Sequence, residues 1–260
     1  MMKYFKLWWF FTKNTTSLAF QSRFGTIFFL VGKILRFFVL FYFLYILISQ
    51  TKNLAGFTFW QIVFFYATFN LVDTTAQFLL REVYRFRVYV LKGFFDYILT
   101  KPINPLFRCL FGGSDALDIP VIFLALGFLV YSAFHLGPIT IGGVLLYLAL
   151  LINGLIIALA FHILVLGIGI LSTEVDSMIM LYRDITRMGQ IPVDVYRAPV
   201  SFIITFVLPV GIMMSFPVKA LLGLLSWQYI LIAFCLSLVS FFVSLKFWQF
   251  SLRQYQSASS

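Results

Sequence analysis

REVYRFRVYVLKGFFDYILTKPINPLFRCLF, residues 81–111, is the one long basic insert in a chain otherwise built of apolar runs. It carries six cations (Arg81, Arg85, Arg87, Lys92, Lys101, Arg108) against two acids, Glu82 and Asp96. Pro102 and Pro105 bracket Asn104. Proline fixes its own φ and disfavours helix at the residue before it, so PINP is expected to turn. Upstream, LKGFFDYIL has the length of a short amphipathic helix, with Phe94, Phe95, Ile98 and Leu99 available to dock. Two readings of the insert stand at this level: a loop lying on lipid headgroups, and a docking element for a soluble partner.

The flanking composition decides the class. The chain has 260 residues, 62% of them hydrophobic and 11% charged, with a mean hydropathy of +1.00. A soluble domain cannot hide that much apolar side chain, so most of it must face lipid or other spans. Cys109 and Cys235 fall in distant segments and imply no disulfide framework. The first 26 residues are aromatic and basic, and Leu7–Phe11 is too short for the core of a cleavable signal. Lys3, Lys6, Phe10, Lys13 and Ser17 recur at helical spacing, with Phe5, Trp8, Trp9 and Phe11 around the other side. That pattern predicts an amphipathic helix lying in the membrane interface.

Six apolar runs of spanning length follow, at Ile27–Ser49, Phe57–Leu80, Asp118–Leu136, Ile139–Leu171, Pro199–Phe216 and Trp227–Gln249. The expectation is an all-α integral membrane protein with both termini cytoplasmic. It comprises an interfacial helix (1–26), a six-span domain (27–250) and a short tail (251–260). Pro209, inside the fifth run, should kink or end it. On this layout the inner side holds six cations up to Arg36, six in the insert, three in the next loop (Arg183, Arg187, Arg197) and two at the C-terminal end. These 17 face only Lys52 and Lys219 outside, a strong positive-inside bias. The net charge of +10 thus faces an anionic inner leaflet, and no nucleic-acid partner is implied. Within Ser172–Arg197, Met178, Leu181, Ile185 and Met188 predict an amphipathic helix continuing the fourth span into the cytoplasm and ending near Gly189 and Pro192.

Catalytic and cofactor motifs are missing from the sequence. No GxxxxGK[ST] loop occurs, since Ile27 and Ile34 stand where Gly and Ser or Thr are needed around Gly32-Lys33. HExxH and GxSxG are absent too. His135 and His162 read as packed histidines, and Gly142, Gly143, Gly154, Gly167 and Gly169 as close helix contacts. Asn70, Asp73, Thr74 and Gln77 fall on one face of the second span. Polar groups at membrane depth face protein or water, so this face either lines a substrate path or forms a hydrogen-bonded seam. Counting depth from the outer turn matches Asp73 to Arg36 and predicts an ion pair. Lys33 is the weaker candidate, expected to snorkel to the headgroups.

KGFFDYILTKPINPL, through Gly93, Asp96, Leu99, Pro102, Asn104, Pro105 and Leu106, resembles the insert of type-two ABC exporter permeases. PVDVYRAPVSFIITFVLPVGIMMSFP (192–217) resembles the same family's approach to its fifth span, and together the segments cover about a sixth of the chain. The resemblance implies the membrane subunit of an ATP-driven exporter in a bacterial plasma membrane. It implies a separate ABC ATPase subunit on the insert, contacting Lys92, Gly93, Phe94, Phe95, Asp96, Leu99, Pro102, Asn104 and Pro105. It also implies a second permease copy completing the pathway, no cofactor, and short helices dipping into the outer leaflet between the fifth and sixth spans. The alternative from a different class is an ion- or proton-coupled secondary transporter, which would favour inverted repeats.

Overall fold

The structure is a computed structural model and describes residues 2–51 and 53–256, so the expected outer position of Lys52 lies outside the described residues. Among them every regular element is helical. An N-terminal helix α1 (Met2–Ala19) precedes α2 (Arg23–Thr51), and α3 is Phe59–Leu79. Three short helices divide the insert: α4 (Phe86–Leu91), α5 (Phe94–Leu99) and α6 (Pro105–Phe111). Then come α7 (Ile119–Ala133), α8 (Ile141–Ser172), α9 (Val175–Arg187), α10 (Ala198–Phe202), α11 (Val210–Leu221) and α12 (Trp227–Gln254).

Among the described residues four segments are long and apolar enough to cross a membrane: α2, the run Ala116–Ala133 around α7, α8 and α12. A fifth arises if the bent pair around Pro209 counts as one span. The second expected span is α3, 21 residues, whose polar stripe makes it less apolar than the others. It is the central helix: every side chain from Ile62 to Phe69 is buried. A helix apolar on all sides over two turns belongs inside a bundle.

Glycines set the tightest crossings. A Cβ on Gly154 would come within 2.8 Å of the Met213 carbonyl oxygen, and one on Gly143 within 3.2 Å of that of Leu221. So α11 lies backbone-to-backbone on α8, as small residues permit at membrane depth. Gly167 admits the Phe247 ring of α12, and Gly169 admits Val175. Gly142 has nothing within 4 Å, so its expected packing role is not observed. Asn153 on α8 donates to the Ala233 carbonyl at 3.2 Å and accepts from Ser237, tying α8 to α12. Both expected packing histidines are in aromatic contacts. His135 stacks on Trp60 at 4.1 Å, and His162 packs edge-on against Tyr182 at 4.8 Å.

The chain after α8 departs from the expected layout. Thr173 adopts a left-handed conformation, φ 59°, and reverses the direction, so α9 runs back along α8 instead of extending beyond it. Its buried stripe is Val175, Ile179, Tyr182 and Thr186, offset from the expected Met178, Leu181, Ile185 and Met188. The return continues past α9. Val193 N–H donates to Ser215 at 3.3 Å, and Asp194 pairs with Lys219 at 2.7 Å. Lys219 lies two residues from Leu221, which packs on Gly143 at the start of α8. Asp194 therefore stands near the end of the bundle away from the insert. That ion pair brings together Asp194 and Lys219, which the expected layout put on opposite sides.

The fifth expected span is not one helix either. Ile203–Val207 forms a π-turn, and Leu208 N–H donates to the Ile203 carbonyl at 2.9 Å. Pro209, with no N–H to continue it, follows, and the chain bends by 98° into α11.

Candidate functional site

In the insert, Gly93 takes φ 70°, a left-handed conformation that an L side chain adopts only with strain, and it breaks α4 from α5. The Asn104 side chain accepts from Leu106 N–H at 2.9 Å and Phe107 N–H at 3.3 Å, capping α6 with Pro105 at its first turn. Asn104 is thus occupied with its own helix. Phe95, expected to await a partner, is fully buried: its ring meets Phe86 at 5.2 Å, Tyr255 at 5.0 Å and Trp248 at 6.3 Å. α5 is therefore bolted to α12, the last long helix. Asp96 engages Tyr255, and the Pro102 carbonyl accepts from Lys3 at 3.2 Å. Lys92, Phe94, Tyr97 and Leu99 stay exposed, with Val88 and Leu91 of α4 beside them, and so do Pro102 and Asn104 of the turn.

The group that anchors the insert was not singled out in the sequence. Glu82, 1% exposed, accepts from Arg108 at 2.5 Å, Tyr89 hydroxyl at 2.5 Å and Arg85 at 3.0 Å. It joins the end of α3 to α4 and α6. Burial and the Glu82 charge push the Tyr89 phenol up to about 12. Burial alone would lower Arg108, but the Glu82 carboxylate outweighs it and holds the guanidinium above its ordinary range. Arg108 also lies over the Phe11 ring at 4.6 Å.

α1 clamps this assembly. Trp8 Nε1 donates to Ser114 at 2.9 Å, Ser114 N–H donates to Thr12 at 3.3 Å, and Tyr4 packs on Phe107 at 4.7 Å. Its inward stripe is Trp8, Phe11, Thr12 and Thr15. Of the expected aromatic face, Phe5 and Trp9 stay exposed, and so does Phe10.

The polar face of α3 opens on a cavity of about 390 Å³. Asn70, Asp73, Thr74, Gln77 and Arg36 all line it, so the structure brings the whole predicted constellation together. The expected Arg36–Asp73 ion pair is absent. Asp73 instead accepts from Gln77 at 2.7 Å, one turn on. The reason is register: Tyr66 hydroxyl donates to the Phe37 carbonyl at 2.8 Å, which sets Arg36 level with Tyr66. Asp73 lies seven residues, about 10 Å, closer to the insert. Lys33 does not snorkel. It pairs with Asp118 and reaches Asp115 at 3.7 Å, and Arg81 meets Asp115 at 3.5 Å. This four-residue network closes the cavity at the insert end. Arg183 of α9, expected in a cytoplasmic loop, also lines the cavity.

A family model described as ABC-2 family transporter protein matches residues 34–259. The chain belongs to the ABC-2 transporter family. The match takes in the insert, the polar helix α3 and everything after it, and begins part-way along α2. This ABC-2 permease is thus a multi-pass membrane transport component, and the family associates in general with an ABC ATPase subunit. Comparison with curated proteins and with solved structures gave no match.

Proposed function

We propose that this chain is the membrane subunit of an ATP-driven exporter in a bacterial plasma membrane, forming half of a translocation pathway. The observation that carries the reading is the insert's construction. A short helix, α5, presents Phe94, Tyr97 and Leu99 to the outside while Phe95 locks it to α12 and Glu82 locks its neighbours to α3. An element exposed on one side and fastened to two long helices on the other can pass a push from a soluble ATPase into the bundle. Phe94, Tyr97 and Leu99 would make the contact, and Gly93 would set the angle at which they are offered. Phe95, Asn104 and Pro105 would hold the element in shape.

The insert, α1 and the C-terminal end of α12 lie at one pole, which the cation bias assigns to the cytoplasm. With the insert inside, α2, α3, α7, α8 and α12 cross the bilayer. The returning segment from α9 to about Val195 serves as the fifth crossing, and α10 through α11 dips back from the outer side. The cavity beside α3 is the substrate path, completed by a second copy or a related permease. Single cysteines at 94, 97 and 99 test the coupling role. With an ABC ATPase subunit from the same cell co-expressed, each should give an ATPase adduct with a short bifunctional crosslinker. Lipid labelling at all three with no adduct would return the insert to a headgroup-lying loop.

A further inference from the structure

The cavity has a chemical bias and a shape that together specify a ligand class. Its lining includes four cations, Lys33, Arg36, Arg81 and Arg183, and two carboxylates, Asp73 and Asp118. Lys33 and Arg81 are satisfied by Asp118 and Asp115. Among the described residues, neither Arg36 nor Arg183 has a carboxylate within 4.0 Å or makes a hydrogen bond through its side chain. Asp73 is already engaged by Gln77, so its carboxylate is shared, and one full positive charge is left over. Unpaired guanidinium at membrane depth is expensive and marks a site where an anion is expected to bind.

Beside the polar chamber runs a second, mostly apolar groove of about 510 Å³, whose polar lining is Arg36, Gln190 and Arg187, the last paired with Asp184. The two share Gly32, Arg36, Leu40 and Gln190, and the second is walled by Leu35, Val39 and Phe43 of α2. Leu35, Val39 and Phe43 are 61%, 60% and 56% exposed, so this groove opens sideways from the bundle. Gly32 leaves room at the junction, since a Cβ there would meet nothing within 4 Å. A cationic chamber joined side-on to an apolar groove is the complement of an amphiphile with an anionic head.

We propose that the permease binds an anionic amphiphile, its phosphate or carboxylate head between Arg36 and Arg183 and its chain along Leu35, Val39 and Phe43. Arg donates in a planar fork that matches both phosphate and carboxylate, so the head class follows from the two arginines. This rests on the cavity being the substrate path and adds to it the kind of substrate.

The test uses the full chain in detergent micelles with a fluorescent short-chain phosphatidylglycerol, and the phosphatidylcholine of the same chains as comparison. The anionic probe should bind saturably and at least tenfold more tightly. Arg36→Gln and Arg183→Gln should each weaken it by roughly tenfold, as expected for one charged hydrogen-bonding partner. Arg36→Lys should keep the preference for the anionic head, and Arg197→Gln, an exposed cation away from the cavity, should change nothing. Equal affinity for the two lipids would overturn the proposal, as would equal losses in Arg197→Gln. Complete displacement by millimolar inorganic phosphate would show a free-anion site and also overturn it. High-yield disulfide formation between two copies through Val39→Cys would put a second copy in the groove and refute the chain placement. None of these readouts involves the ATPase, so their failure leaves the crosslinks from α5 standing, and the reverse holds.

Discussion

Replacing Glu82 with glutamine removes one charge from the insert and almost no volume. The carboxylate is 1% exposed and takes two donors at 2.5 Å and one at 3.0 Å. Glutamine keeps one acceptor oxygen but turns an amide N–H₂ toward groups that also donate, and it leaves Arg108 half-buried without its counter-ion. Hydrogen bonds to charged groups contribute about 1.5–3 kcal/mol each, and breaking a buried pair costs about 3–5 kcal/mol. With one acceptor retained, a loss of about 3 kcal/mol is expected. In a chain of this length each kcal/mol moves the unfolding midpoint by about 2–4 °C, so Glu82→Gln should melt roughly 6–12 °C lower in detergent. Removing the partner as well should hurt less than the sum, because no charge is then stranded. Thermal unfolding of Glu82→Gln, Arg108→Gln and the double variant gives the answer. Additive losses, or a single-variant shift under about 2 °C, would refute Glu82 as the anchor of the insert.

Three further outcomes follow from the same geometry. Tyr89→Phe should lower stability by an amount that is constant from neutral pH to about pH 10 and shrinks toward pH 12. The folded-state phenol is raised above its ordinary 10.0, so its contribution is complete below pH 10 and lost as pH rises through about 12; melting curves against pH for both proteins check this. Gly154→Ala should destabilise, since its methyl would meet the Met213 backbone at 2.8 Å, while Gly142→Ala should be silent or slightly stabilising; folded yield after heating separates them. Cysteines at 197 and 219 should both label from outside intact cells with an impermeant reagent while one at 92 does not. Labelling of 219 without 197 would restore the originally expected inner loop.

What the sequence revealed and what it hid divide along physical lines. Five of the expected apolar runs become helices near their expected ends, because length and hydropathy register directly in composition. The short helix at Phe94–Leu99 was legible from Gly93, PINP and the spacing of its aromatics, and the polar face of α3 from its helical period. The path of residues 173–221 was not. It turns on a left-handed Thr173, a residue with no glycine signal, and on an α9 stripe one position away from the apparent one. Charge counting then misled, because Arg183 faces a cavity and Asp194 pairs with Lys219, so neither reports a cytoplasmic loop. Depth counting missed the Asp73 partner because Tyr66, seven residues before Asp73, is the residue that stands level with Arg36. Glu82 was invisible for a different reason: one acid among six cations looks like surface, and only three-dimensional closure of the insert buries it.

The central claim, half of an ATP-driven pathway coupled through α5, is tested most directly by reconstitution. The chain is co-expressed with an ABC ATPase subunit from the same cell, purified as a complex, weighed by native mass spectrometry and assayed for ATP turnover in lipid vesicles. The permease reading predicts an assembly with two membrane subunits and two ATPases. It also predicts turnover that falls when Tyr97 and Phe94 are changed to alanine while the membrane subunit stays folded. A membrane subunit that moves substrate down an ion gradient with no ATPase bound, and is indifferent to those two residues, would contradict it.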